Sequence, residues 1–141
     1  KGIPLVSSIS IALSNKNINI PFAFNRKETK SHGERGDIIG SEIKDKVLVI
    51  DDVISAGTSI NESHNLINLN GGHMSGVIVA IDRQEKGQNK LSATQEVAMK
   101  YSVPVISIIN LEDIIAYLES SNRFKSELAL IQSYQKSYGI I

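Results

Sequence analysis

The sequence predicts an α/β fold built on a parallel sheet, and three observations carry that prediction. Aliphatic runs at 47–50, 77–81 and 103–109 show no polar alternation, as expected of strands covered on both faces. Segments of helical periodicity lie between them, each introduced by residues able to cap a helix. Strands separated by helices need crossover connections, which are right-handed and give parallel pairing.

Taken in order, Pro4 suits the first turn of a helix on which Leu5, Ile9, Ala12 and Leu13 recur at helical spacing. Residues 20–24 read as a strand. Residues 26–41 are polar, contain Gly33, Gly36 and Gly40, and read as a long loop. After the run at 47–50, Ser59 and Glu62 have capping-box spacing and open a helix that Gly71 and Gly72 stop. The strand at 77–81 follows. Ser92 and Gln95 cap a short helix that buries Val97, Ala98 and Tyr101. The strand at 103–109 leads to Asn110, the cap of a helix with Leu111, Ile114, Ile115 and Leu118 on one face. Phe124, Leu128 and Ile131 mark a C-terminal helix.

Composition narrows the function. The 141 residues, 41% hydrophobic and 21% charged, suit one globular domain over 1–141. The absence of cysteine excludes disulfides and thiolate metal sites. Zero formal net charge argues against a dedicated nucleic-acid binder. No apolar run reaches the roughly 20 residues that span a bilayer. His64 and His73 have no matching ligand cluster around them, and Tyr117, Tyr134 and Tyr138 read as packing residues.

In open parallel sheets, ligands bind beyond the carboxyl ends of the strands. That rule points to Asp51, to Asp82 and Arg83, and to Asn110. The stretch Asp51, Asp52, Val53, Ile54, Ser55, Ala56, Gly57, Thr58 and Ser59 joins a buried strand to a helix N-terminus through small residues. Backbone N–H groups and the helix dipole there suit a phosphate dianion, and the Ser55, Thr58 and Ser59 hydroxyls add donors. Carboxylates at Asp51 and Asp52 would repel that phosphate unless they face sugar hydroxyls or a hydrated magnesium ion. A ribose 5-phosphate meets both demands. The Walker pattern G-x-x-x-x-G-K-[ST] is absent, which argues against an ordinary P-loop nucleotidase. Upstream, Arg26, Lys27, Lys30, His32 and Arg35 crowd a glycine-bearing loop and offer cations to an anionic leaving group.

The stretch from Asp51 to Ser59 resembles the phosphoribosyl pyrophosphate (PRPP) motif of type I phosphoribosyltransferases. The basic loop around Arg26–His32, the opening Lys1-Gly2-Ile3-Pro4, the Asp82-Arg83-Gln84-Glu85 turn, and the segments at 91–97 and 110–114 are similar to the orotate-specific enzymes of that family. The resemblance implies a phosphoribosyltransferase core with flanking helices, from which the family's N-terminal strand and hood are missing ahead of Lys1. It implies a pentosyltransferase that uses Mg2+ to convert PRPP and orotate to orotidine 5′-monophosphate and pyrophosphate, in cytoplasmic pyrimidine biosynthesis. By residue, it assigns Lys1, Arg26, Lys27, Lys30 and His32 to PRPP and pyrophosphate, and Asp51 to Ser59 to the ribose phosphate. Ser55 and Arg83 are assigned to orotate, Arg83 because its planar fork pairs with a carboxylate. Lys27, Lys30, His32, Asp51 and Asp52 are the implied catalytic set, with magnesium held through PRPP and water rather than by direct protein ligands. The basic loop is implied to act in trans across a homodimer, and His32 to supply either charge or a proton. Ser55 stands where the family usually has Thr, which keeps the hydroxyl. A PRPP-sensing module is the alternative in another class, and the basic loop argues against it because a sensor has no leaving group to neutralise.

Overall fold

The computed structural model describes residues 1–25, 38–88 and 91–140. Its elements are α1 (Gly2–Ser14), β1 (Ala23–Asn25), β2 (Ile38–Gly40), β3 (Asp45–Asp51), α2 (Thr58–Leu69), β4 (Gly72–Asp82), α3 (Ala93–Tyr101), β5 (Val105–Asn110), α4 (Leu111–Glu119), a 3-10 turn (Asn122–Phe124) and α5 (Lys125–Tyr138). The strands β3, β4 and β5 form a parallel sheet in that order, and β1 pairs antiparallel with β2. The α/β class and the parallel sheet are therefore as the sequence predicts. Among the described residues no helix is long and apolar enough to cross a membrane.

The core lies between one face of the sheet and the helices α2 and α3. Ile54, Ile60, Ile67, Met74, Val77, Val79, Ala93 and Val97 form it, with Val47, Val49, Val103, Val105 and Tyr101 packed against it. Ile60 and Val79 are fully buried. Full burial of such a side chain stabilises the fold by about 1.5–3 kcal/mol. The expectation of strands covered on both faces holds fully for one face and in part for the other, where Gly76 is buried and Ile50, Ile78 and Ala80 are half-buried. On that second face, Leu48, Ile106 and Ile108 are 50%, 55% and 72% exposed. An aliphatic run without polar alternation does not by itself reveal which of its faces this chain covers.

Three local expectations need correction. The strand read at 20–24 is Ala23–Asn25, and the last residues of the loop read at 26–41 form β2, in register Ala23 to Gly40 and Asn25 to Ile38. Ser59 and Glu62 do not cap α2. The helix cap lies two residues earlier, at Gly57 in the left-handed conformation (φ 70°), with no side-chain cap. The Ser59 hydroxyl instead donates to Asp51 Oδ2 at 3.1 Å. The third strand begins at Val105 rather than 103.

The other caps form as read. Ser92 accepts from the Gln95 N–H while the Gln95 side chain accepts from the Ser92 N–H. Asn110 and Asp113 form the equivalent pair at the start of α4. Each such cap stabilises its helix by about 1 kcal/mol relative to alanine. Helix α2 ends at Leu69, and Gly71 (φ 83°) turns the chain into β4. His64 packs its ring on Tyr101 at 4.5 Å.

Candidate active site

Strand β3 stays paired with β4 as far as Asp51 and Val79, so Asp51 emerges at the carboxyl end of the sheet. Its Oδ1 accepts the Asp52 N–H at 2.9 Å and its Oδ2 accepts the Ser59 hydroxyl. The Asp52 carbonyl still accepts from Ile81 N–H at 3.1 Å, so the sheet continues into the loop. Ile54 then dips into the core at 4% exposure and anchors the loop, leaving Ser55 and Ala56 exposed. Gly57 returns the chain to α2. A Cβ on Gly57 would lie 3.3 Å from Val97 Cγ2 and would sit in a left-handed backbone. The first N–H groups of any helix lack intrahelical acceptors, and here no side chain caps them. They suit an anion, as the sequence suggests.

Helix α1 brings Lys1 to the same place. Its backbone touches β3 closely enough that a Cβ on Gly2 would meet Ile50 O at 2.9 Å. Lys1 Nζ lies 3.4 Å from Asp52 Oδ2. Burial pushes the Asp52 carboxyl up. The hydrogen bonds with Asp51 and Lys1, the Lys1 charge and its own backbone outweigh that push and hold it below its ordinary value of 3.8. Asp52 is therefore ionised at neutral pH. The Lys1 ammonium, 84% exposed, offsets that charge while remaining open to solvent.

The second strand delivers Arg83. Its Nη2 donates to Ser55 Oγ at 2.8 Å and to Glu85 Oε2 at 2.9 Å. The structure thus joins two residues that are 28 positions apart in sequence. Arg83 Nε is buried without a partner among the described residues. Lys1, Asp51, Asp52, Ser55, Gly57, Thr58, Ser59 and Arg83 all belong to the carboxyl-end side of β3 and β4. Arg26, Lys27, Lys30 and His32, with Arg35, lie outside the described residues. Sequence reasoning missed Glu85 and Tyr134 as members of the site. Tyr134, read as packing, donates its phenol to Glu85 Oε1. Glu85 lies in the turn after β4, where Gln84 takes a left-handed backbone (φ 51°), so strand alternation gave no signal for it. Tyr134 is 49 residues away from it and had none.

No family model matches the chain. Relatives do. The orotate phosphoribosyltransferase of Hahella chejuensis is 48% identical over 141 residues, and that of Nitrosomonas europaea is 50% identical over 139. The crystal structure of the Francisella tularensis orotate phosphoribosyltransferase superposes with a TM-score of 0.80 at 37% identity, covering 99% of this chain.

The chain belongs to the orotate phosphoribosyltransferase family.

It spans 66% of the length of the Hahella protein, 61% of the Nitrosomonas protein and 66% of the Francisella chain. The orotate phosphoribosyltransferase from Aeropyrum pernix shares the fold at a TM-score of 0.63 and 28% identity. Likeness to the Leishmania donovani UMP synthase, at 23% identity and a TM-score of 0.67, concerns the fold alone. Membership agrees with the reading made from Asp51–Ser59, the Lys1 segment and Arg83.

Proposed function

We propose that this chain carries out orotate phosphoribosyl transfer, converting PRPP and orotate to orotidine 5′-monophosphate and pyrophosphate. One observation carries the proposal above the others: Arg83, able to grip a carboxylate, is bonded to Ser55 of the phosphate loop. A base-recognising cation next to a ribose-phosphate cradle suits orotate, which bears a carboxylate, and has no counterpart need in purines.

In this reading the α2 N-terminus and the Ser55, Thr58 and Ser59 hydroxyls hold the 5-phosphate. Asp51 and Asp52 accept from the ribose diol, and Ser55 and Arg83 orient orotate. The ribose then lies pinned at both ends, which leaves C1′ little freedom other than toward the base nitrogen. As the bond from C1′ to pyrophosphate breaks, Lys1, Arg26, Lys27, Lys30 and His32 receive the developing charge. The two acidic residues also suit the waters of a magnesium ion, which would be held through PRPP rather than by direct protein ligands. Bound magnesium would neutralise charge on the pyrophosphate. The reading also carries a cytoplasmic homodimer in which Arg26, Lys30 and His32 serve the partner's site.

The test is a panel of bases. The full natural chain, given PRPP and Mg2+ with orotate, uracil, adenine or hypoxanthine, is expected to release pyrophosphate with orotate alone. Turnover of a purine would overturn the base assignment. PRPP binding without transfer to any base would favour the sensing alternative.

A further inference from the structure

Arg83 is the end of a chain of contacts that begins on the last helix. The phenol of Tyr134 on α5 donates to Glu85 Oε1, and the other oxygen of Glu85 accepts from Arg83 Nη2. The same nitrogen donates to Ser55 Oγ. A guanidinium has five N–H donors in a fixed plane. Two of them, both on Nη2, are engaged by Ser55 and Glu85. Nη1 remains for a ligand, while Nε is buried and without a partner among the described residues.

The turn bearing Glu85 is itself braced. Gln84 adopts a left-handed backbone (φ 51°), and its N–H donates to Asp82 Oδ1 at 2.8 Å. Asp82 Oδ2 accepts from Thr94 on α3 at 2.8 Å, and Gln84 Oε1 accepts from the Glu112 N–H on α4 at 3.1 Å. The C-terminal segment pairs with the turn as a short antiparallel strand. Lys86 N–H donates to Tyr138 O at 2.8 Å, and Ile140 N–H donates to Gln84 O at 3.0 Å. These bonds fix where Glu85 starts and where Tyr134 stands, and the two side chains fix each other.

We propose that Glu85, held by Tyr134, is a positioning residue that sets the Arg83 guanidinium against Ser55 before orotate arrives. It rests on the functional reading above. A free arginine side chain loses rotamer entropy when a ligand immobilises it. Ordering it beforehand removes that loss from binding. Glu85 also brings a negative charge near an anion-binding group, which by itself would weaken orotate binding. Positioning prevails because the pair is only partly buried, at 35% and 20% exposure, where solvent screens the repulsion. A hydrogen bond made at one nitrogen, by contrast, keeps its directionality.

The experiment measures steady-state kinetics of the full natural chain and its variants with both substrates varied. Glu85→Ala is expected to raise the orotate KM on the order of tenfold, the scale of one charge-assisted hydrogen bond, with kcat and the PRPP KM nearly unchanged. Tyr134→Phe should move the orotate KM in the same direction by a smaller factor, and Glu85→Gln should recover part of the loss. In an Arg83→Ala background, Glu85→Ala should add nothing. Tyr138→Phe, which keeps the 5.1 Å ring contact with Tyr134, serves as the packing control and should leave the orotate KM at the parent value. An orotate KM that is unchanged or lower in Glu85→Ala, or an effect that persists without Arg83, overturns the positioning role while leaving the functional reading in place. So does a uniform loss of kcat and both KM values together with a lower Tm. A parent that makes no orotidine 5′-monophosphate overturns the functional reading and this inference with it.

Discussion

Replacing Gly57 by alanine tests the phosphate loop through its backbone, without touching a charge. At φ 70° the alanine backbone is strained by about 1–2 kcal/mol. Its Cβ would lie 3.3 Å from Val97 Cγ2, and Val97 is only 4% exposed and β-branched, so it yields little. Relief of that contact adds about 0.5–1 kcal/mol if Val97 leaves its rotamer. The loss of glycine freedom in the unfolded chain offsets about 0.4–1 kcal/mol. The net destabilisation is about 1–2 kcal/mol, a fall in Tm of about 3–8 °C for a chain this size. Affinity should fall too, since the shift tilts the helix N–H groups that are meant to face the phosphate. Gly71→Ala is the matched control. It has φ 83° and nothing within 4 Å of the new Cβ, and it lies at the far end of α2. It should lower Tm by a similar or smaller amount and leave PRPP binding at the parent value. Thermal melts and calorimetric titration with PRPP read both effects. Gly57→Ala binding PRPP as tightly as the parent would refute the assignment of the phosphate to these N–H groups.

Other outcomes follow from the same geometry. Asp51→Asn with Asp52→Asn should depress PRPP turnover with little change in Tm, since an asparagine at 51 keeps one acceptor for its neighbours; unchanged kinetics would remove the acidic pair from the mechanism. Lys27→Ala and Lys30→Ala should each raise the barrier by about 2–4 kcal/mol if they contact the leaving group only in the transition state. A Tm that falls as steeply as their kcat would make them structural. Asp52 has a folded-state pKa held below 3.8, so its contribution to stability is fully present above that value and is lost as pH falls through the lower folded pKa. Acid titration followed by circular dichroism should show the parent losing its advantage over Lys1→Gln in that acidic window; an advantage that persists at still lower pH would exclude the Lys1–Asp52 pair as its source.

The parts of this fold that were legible in sequence are those governed by local chemistry. The aliphatic runs announced β3, β4 and β5, and the Ser92–Gln95 spacing and the Asn110 cap announced two helix starts. The start of α2 was not legible, because Ser59 satisfies the capping pattern while its hydroxyl is drawn to Asp51. That competition exists only once β3 and α2 are juxtaposed. The exposed face bearing Leu48, Ile106 and Ile108 was equally hidden, since periodicity reports apolar character and not what covers it. In the site, Asp51 to Ser59 stood out because one strand-turn-helix holds them all. Arg83 stood out by its place after a strand. Its anchorage on Ser55 and Glu85 is tertiary, and Tyr134 enters from the other end of the chain.

The position of Tyr134 has a consequence for how the molecule loosens. Helix α5 has no buried residue among those described, and its end is held by the pairing of 138–140 with the turn at 84–86. Elements with so little buried surface open at free energies far below that of global unfolding. Each such opening withdraws the phenol from Glu85, and the guanidinium regains its rotamers while β3 and the phosphate loop stay folded. Under the proposed function, the hold of Arg83 on a base and the hold of the loop on a ribose phosphate would therefore have different thermal ceilings, the former set by the fraying of a surface helix. Amide exchange along α5 would track the first, and global melting the second.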